Sequence, residues 1–205
     1  MSHEIYVFGS VTRGEVSPTS DVDMLVIPMS GDRDQYPPGW SIYSPSLIEE
    51  YFLNGRLFAW HLHLEARCIY TPFDIPFLES LGAPQPYITM FQDIDDLETL
   101  LAEALEQISL GTNSLVYELG IAYTAIRDIA MSASWSLLGR PCFSRRAPYL
   151  LPVPFPLATE AYSGAMLARH SSVRGIDIDF HLEKIAKEVT HAPLRQWVNS
   201  LKNFR

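Results

Sequence analysis

The chain has 205 residues, of which 47% are hydrophobic and 19% are charged, and its formal net charge is −9. These values are typical of a folded globular protein and exclude overall disorder, and the length accommodates one large domain or two small ones with a buried core. Because an acidic surface repels phosphate backbones at long range, a general nucleic-acid coat is disfavoured and a small or metal-chelated phosphate ligand fits better.

The cysteines and the apolar stretches indicate in which cellular compartment the protein is expected. Cys68 and Cys142 do not form a Cys-x-x-Cys pattern, so no zinc site is predicted. No basic segment followed by an apolar run stands at the N-terminus. The longest apolar stretches are interrupted by charges or prolines before they reach the roughly 18 residues that span a bilayer. We therefore expect a cytoplasmic protein with no membrane contact.

The first predicted strand covers residues 4–8 and ends at Gly9-Ser10. A Gly-Ser turn after an apolar strand offers backbone N–H groups and a hydroxyl that can cradle a phosphate. After a spacer of ten residues, Asp21 and Asp23 stand at the head of a second apolar run. Side chains two residues apart on a strand point to the same side, so these carboxylates are expected to form a metal-binding pair beside the phosphate cradle.

Gly9-Ser10, the ten-residue spacer and Asp21-x-Asp23 resemble the signature of the nucleotidyltransferase superfamily, whose fold is similar to the polymerase beta palm. Arg13, followed by glycine, also resembles the small bacterial members of that group. The resemblance implies that Gly9 and Ser10 hold a nucleoside triphosphate and that Arg13 pairs with a phosphate oxygen. It further implies two Mg²⁺ ions, held by Asp21, Asp23 and a third carboxylate. The alternatives are a turn with two solvated aspartates and an Arg13 that is a solvated loop residue.

The third carboxylate is not in the strand where the resembled family supplies it. Residues 28–39 are polar and rich in helix and strand breakers, and they are expected to link strands. The third strand is predicted over residues 40–44, where the inward positions hold Ser41 or Ile42 and no acid. A helix is expected to begin near Pro45, because proline suits the first helical turn.

Residues 57–70 allow two interpretations, and both bring a glutamate next to a histidine. As a strand, the segment places four polar side chains on one face, namely His61, His63, Glu65 and Arg67. As a helix, it makes His61 and Glu65 neighbours four residues apart. We therefore expect Glu65 to complete the metal site or to act as the catalytic base, with a structural or salt-bridged glutamate as the alternative.

After the prolines of residues 71–92 the apolar periodicity becomes helical, which predicts a first domain over residues 1–90 and a second over 91–205. The first two helices of the second domain are predicted over residues 93–110 and 114–138. Three more follow over residues 159–168, 179–189 and 193–204, with Thr159 and Asp179 in capping positions.

The predicted fold class is α+β, a small mixed-sheet nucleotidyltransferase domain followed by an all-helical bundle. This order resembles small nucleotidyltransferases with a helical C-terminal domain of the HEPN or kanamycin-nucleotidyltransferase kind. We expect a magnesium-dependent enzyme that transfers a nucleoside monophosphate from NTP to a hydroxyl acceptor bound between the two domains. The nucleotide, the acceptor (a small molecule, a protein or RNA) and a homodimer are left open, although the acidic composition disfavours RNA.

Two alternatives from other functional classes remain open. One is a catalytically incomplete nucleotide-binding or antitoxin-type module, because the third carboxylate is not in its expected strand. The other is a HEPN-like ribonuclease, because Arg174 and His181 are separated by six residues and this resembles the R-x4–6-H spacing of those enzymes.

Overall fold

A computed structural model describes residues 2–16, 21–29, 36–175 and 181–203. Part of the predicted spacer, part of the loop after the second strand and the predicted helix start at Asp179 lie outside these ranges. The chain divides into two compact units, Met1–Thr89 with Phe143–Arg145, and Met90–Cys142 with Arg146–Arg205. The sequence-based boundary after residue 90 stays a prediction about domains, because compact packing does not test whether each part folds alone.

The first unit contains a four-stranded mixed sheet. Its strands are β1 (His3–Phe8), β2 (Asp23–Pro28), β3 (Ser41–Ile42) and β4 (Arg67–Tyr70), in the order β3-β2-β1-β4. Strand β1 is antiparallel to β2 and β4, whereas β2 is parallel to β3. Phe8 pairs with Asp23, so the end of β1 lies beside the start of β2. The mixed sheet confirms the predicted fold class for this part of the chain.

The described residues of the first unit also form three helices, namely α1 (Pro45–Leu53) and α2 (Leu57–Glu65) between β3 and β4, and α3 (Phe77–Ser80) after β4. Helix α1 begins at Pro45, and the Ser44 hydroxyl caps it by accepting a hydrogen bond from the Leu47 N–H at 3.3 Å. Each interpretation of residues 57–70 is right for one part of the segment, because α2 ends at Glu65 and β4 follows it. The buried core joins sheet and helices through Tyr6, Phe8, Leu25, Ile27, Ile48, Phe52, Ala59, Leu62 and Leu78.

A fully buried carboxylate, that of Glu4 in β1, organises one side of this unit. Its Oε1 accepts a hydrogen bond from the Thr71 hydroxyl at 2.6 Å. Its Oε2 accepts from the Tyr6 hydroxyl and from the Phe77 N–H, the latter at 2.8 Å. The Tyr6 hydroxyl in turn accepts from the Leu78 N–H, and burial together with the Glu4 contact raises the pKa of the Tyr6 phenol. The network therefore ties β1 to the start of α3.

The described part of the second unit is helical. Its helices are α4 (Met90–Ser109), α5 (Leu115–Leu137), α6 (Ala147–Leu150), α7 (Thr159–Arg174), α8 (Leu182–His191) and α9 (Leu194–Asn203). Helix α5 is central, since it packs against the other five. Ala158 occupies the N-cap of α7 without a side-chain hydrogen bond, so the prediction that Thr159 caps this helix was wrong. Within the described ranges, no helix combines the length and the apolarity that a bilayer crossing needs.

Candidate active site

The turn after β1 lies directly against one of the predicted aspartates. Gly9 has φ +78°, in the left-handed region that residues with a Cβ rarely adopt. A Cβ built at Gly9 would lie 2.2 Å from Oδ2 of Asp23. Glycine is therefore required here both by the backbone conformation and by space. The predicted phosphate cradle and the Asp23 carboxylate occupy the same place in the fold.

Residues 9–16, which we call the Gly-Ser loop, are held by hydrogen bonds within the loop. The Thr12 hydroxyl donates to the Gly9 carbonyl at 2.9 Å. The Glu15 N–H donates to the Ser10 carbonyl, also at 2.9 Å. The loop thus folds back on itself, and the position of Glu15 is coupled to that of the predicted phosphate-binding serine.

The two predicted metal-binding aspartates differ in exposure. Asp21 is exposed and precedes β2, whereas Asp23 is partly exposed and begins it. In the part of the chain that the structure describes, no three His, Cys, Asp or Glu side chains are grouped as a metal site. Mg²⁺ usually takes one or two protein carboxylates and completes its shell with substrate phosphates and water. Asp21 and Asp23 carry the ligand type that Mg²⁺ takes, so the residues present fit this ion.

Glu65, at the end of α2, is the acceptor at the centre of a polar cluster. Its Oε2 accepts a hydrogen bond from Nη1 of Arg13 and lies 2.9 Å from Nε2 of His61. Arg13 also donates through Nε to Oε2 of Glu15 at 3.2 Å. Only 13% of the Glu65 side chain is exposed, so water screens these contacts less than those of a surface ion pair. The structure thus brings together Arg13 and Glu65, which the sequence predicted as separate site residues.

His61 is packed among aromatic rings. The Phe143 ring stacks on the imidazole with 4.3 Å between centroids and 17° between planes. Phe8 and Phe58 approach the imidazole edge to face, at 5.5 and 6.3 Å. His63, in contrast, is exposed. Of the two histidines that the sequence placed near Glu65, only His61 contacts it.

Residues 143–145 follow α5 in the chain but belong to the first compact unit. Phe143 and Ser144 are buried, and Nη2 of Arg145 donates a hydrogen bond to the Glu15 carbonyl. These contacts could not be predicted from the sequence, because an irregular connection has no periodicity that indicates what it packs against. Its only signal was the presence of arginines between residues 139 and 157.

Residues 2–53 match the family model described as "Nucleotidyltransferase domain". The N-terminal region is a nucleotidyltransferase domain. The match includes the Gly-Ser loop and the aspartate pair, and it supports for this region the nucleotidyltransferase assignment that the sequence predicted. Glu65 and residues 143–145 lie outside the matched residues.

No curated protein matches the chain with significant similarity. Among solved structures, the chain is similar to spectinomycin adenyltransferase AAD(9) from Enterococcus faecialis, crystallised with ATP and spectinomycin. The two share 15% sequence identity with a TM-score of 0.44, and the alignment covers 98% of this chain and 91% of that one. A similarity this distant does not indicate which substrate this chain uses.

Proposed function

We propose that the chain is a magnesium-dependent nucleotidyltransferase that moves a nucleoside monophosphate from NTP to a hydroxyl acceptor. The observation that carries this proposal is the contact between the Asp23 carboxylate and the Gly9 backbone inside the matched domain. Phosphoryl-group transfer is catalysed mainly by positioning and by charge neutralisation. A carboxylate held against the proposed phosphate cradle would place a metal ion beside the phosphates, where the ion would both position them and neutralise their charge.

The Gly-Ser loop would bind the triphosphate. Gly9 permits close approach of the backbone, and Ser10 adds a hydroxyl donor. Arg13 would pair with a phosphate oxygen, since a guanidinium has five N–H donors and its two contacts to carboxylates use Nε and Nη1. In this arrangement one side chain links the phosphate site to Glu65.

Asp21 and Asp23 would hold the Mg²⁺, because paired carboxylates are the ligands that this ion prefers. Two Mg²⁺ ions, when bound, supply neutralisation of the charge on the phosphate oxygens. The protein contributes the fixed position of Asp23, which the strand pairing with Phe8 and the contact with Gly9 determine.

Glu65 is the proposed third carboxylate and would act as the base, since the described residues hold no group of three His, Cys, Asp or Glu side chains that could share a metal ion. As a base it would accept the proton of the acceptor hydroxyl while that oxygen forms a bond to the α-phosphorus and the bond to pyrophosphate breaks. Arg13 and His61, which both contact Oε2, would fix the orientation of the carboxylate.

The same contacts favour a second candidate function. The Arg13 guanidinium and the Glu65 carboxylate form an ion pair with each other. A module that binds a nucleotide without transferring it could keep this pair for a structural purpose. In that case Glu65 would orient Arg13 and would not exchange a proton with an acceptor.

One assay distinguishes the two candidates. The protein is incubated with α-labelled ATP, GTP, CTP or UTP, Mg²⁺ and a panel of hydroxyl-bearing small molecules, proteins and RNA 3′ ends. We expect pyrophosphate release and a labelled acceptor, both lost with EDTA and in the Asp21→Asn/Asp23→Asn variant. NTP binding without turnover on any acceptor would support the binding module, and a failure to bind any NTP would contradict both candidates.

Gly9→Ala is expected to disable the site. The positive φ costs roughly 1–2 kcal/mol for a residue with a Cβ, and the methyl group would collide with Oδ2 of Asp23. Because a displacement of about 1 Å can cost 10²-fold in rate, we expect a loss of turnover of about 100-fold. Gly14→Ala is the matched control, since Gly14 has φ +72° and no atom within 4 Å of an added Cβ. Equal losses of turnover in the two variants would contradict the role of the Asp23 contact.

A further inference from the structure

We propose that Phe143 and Arg145 are positioning residues for the Gly-Ser loop, although they lie outside the residues that match the nucleotidyltransferase domain. The inference rests on the proposed function, in which this loop holds the triphosphate. Two separate chains of contacts lead from residues 143–145 to the loop, and both end at Arg13.

The first chain of contacts runs through the backbone. Nη2 of Arg145 donates to the Glu15 carbonyl, and the Glu15 N–H donates to the Ser10 carbonyl at 2.9 Å. The Glu15 carboxylate accepts from Nε of Arg13 at 3.2 Å. Glu15 is thus fixed at its carbonyl, its amide and its side chain. Its position determines where Ser10 and Arg13 lie.

The second chain of contacts runs through side chains. Phe143, which is 4% exposed, covers one face of His61 by stacking. The imidazole is thereby held with Nε2 at 2.9 Å from Oε2 of Glu65, and the same oxygen accepts from Nη1 of Arg13. Removal of the ring would uncover one face of the imidazole, leaving only the edge-to-face contacts with Phe8 and Phe58, and would weaken the support of the guanidinium from the Glu65 side.

The two chains of contacts predict which properties change when Phe143 or Arg145 is replaced. Neither Phe143 nor Arg145 is proposed to touch the nucleotide, so their loss should loosen the Gly-Ser loop and weaken NTP binding through Arg13. A role limited to stability would instead lower the Tm without a particular effect on the loop. The quantities to measure are therefore the amide exchange of the loop and the affinity for NTP.

The test uses the full chain and seven variants, namely five single variants at residues 140, 143 and 145, His61→Leu, and the double variant of Phe143→Leu with His61→Leu. Phe143→Leu and Arg145→Gln remove the two contacts, while Phe143→Tyr and Arg145→Lys keep a ring and a cationic donor. Arg140→Gln is the matched control, because Arg140 is exposed in the same connection and its replacement removes the same charge. The readouts are amide hydrogen exchange of residues 9–16 and, by calorimetry, the Kd of the NTP that the wild type binds best with Mg²⁺.

We expect faster exchange in the loop and a Kd raised about tenfold in Phe143→Leu and Arg145→Gln, which corresponds to about 1.4 kcal/mol. The conservative variants should recover most of the affinity, and Arg140→Gln should match the wild type. Phe143→Leu should add no further loss to His61→Leu, because both act through the same contact. If Phe143→Leu does not fold, Arg145→Gln and its lysine rescue decide the question.

Unchanged loop exchange in Arg145→Gln, or equal Kd values for it and Arg140→Gln, would overturn the inference. Additive effects of Phe143→Leu and His61→Leu would overturn the side-chain route. If the wild-type protein bound no NTP, the proposed function would be contradicted instead. In that case loop exchange still decides whether residues 143–145 position the loop.

Discussion

Asp23→Asn is expected to lower kcat for nucleotidyl transfer by about 10³-fold, since a bound metal ion supplies several kcal/mol and each 1.4 kcal/mol is a factor of ten. The substitution keeps the shape of the side chain against Gly9 but removes the charge that would hold Mg²⁺. Asp23 is partly exposed, so we expect the Tm to change little. Pyrophosphate release, measured over a range of Mg²⁺ concentrations, gives both kcat and the apparent affinity for the ion.

Two further variants make this measurement decisive. Asp21→Asn should also reduce turnover, because both carboxylates are proposed to bind the metal. Asp74→Asn is the matched control, since Asp74 is an exposed aspartate of the same unit and is not part of the proposed site. If Asp23→Asn kept more than about a tenth of the wild-type kcat, the metal-pair assignment would fail, because so small a loss is under 1.4 kcal/mol.

The elements around the Gly-Ser loop were predictable because their signals are local. Alternating apolar residues before a glycine indicate a strand and a turn, and β1 ends at Phe8 as expected. Pro45 indicated the start of α1 for an equally local reason. Residues 57–70 remained ambiguous, because a short apolar run fits either period and here α2 passes into β4 after a single residue.

The contacts that hold the candidate site together were not predictable, because they join distant parts of the chain. Nothing near Glu65 in the sequence indicates that its partner is Arg13, and nothing near Glu15 indicates Arg145. Local patterns specify elements and their faces but not which loop packs against which. The role of Glu65 as a ligand or base therefore stays a prediction, and its observed contacts define the variants that test it.

One buried group did leave a signal in the sequence. Glu4 lies on the same face of β1 as Tyr6 and Phe8, since all three alternate with more exposed residues. A charged residue in the buried register of a strand indicates a hydrogen-bonded network, because burial without partners is costly. The partners themselves, Thr71 and Phe77, are far along the chain and required the structure.

Glu4→Leu is expected to destabilise the first unit by about 3–5 kcal/mol, because each buried donor left without an acceptor costs roughly 1–3 kcal/mol. The donors affected are the hydroxyls of Thr71 and Tyr6 and the Phe77 N–H. Glu4→Gln keeps one carbonyl oxygen, so it should cost less than half as much. Glu79→Leu is the matched control, since Glu79 is an exposed glutamate of α3.

Urea unfolding followed by tryptophan fluorescence measures the effect of Glu4→Leu. Trp60 reports on this unit, since its indole N–H donates to the Gln85 carbonyl at 3.0 Å. A midpoint for Glu4→Leu equal to that of Glu79→Leu would show that the network contributes no net stability. Because β1 leads directly from Glu4 into Gly9, the expected destabilisation should also accelerate amide exchange in the Gly-Ser loop. Loss of the buried carboxylate would then weaken the candidate site without touching any of its proposed ligands.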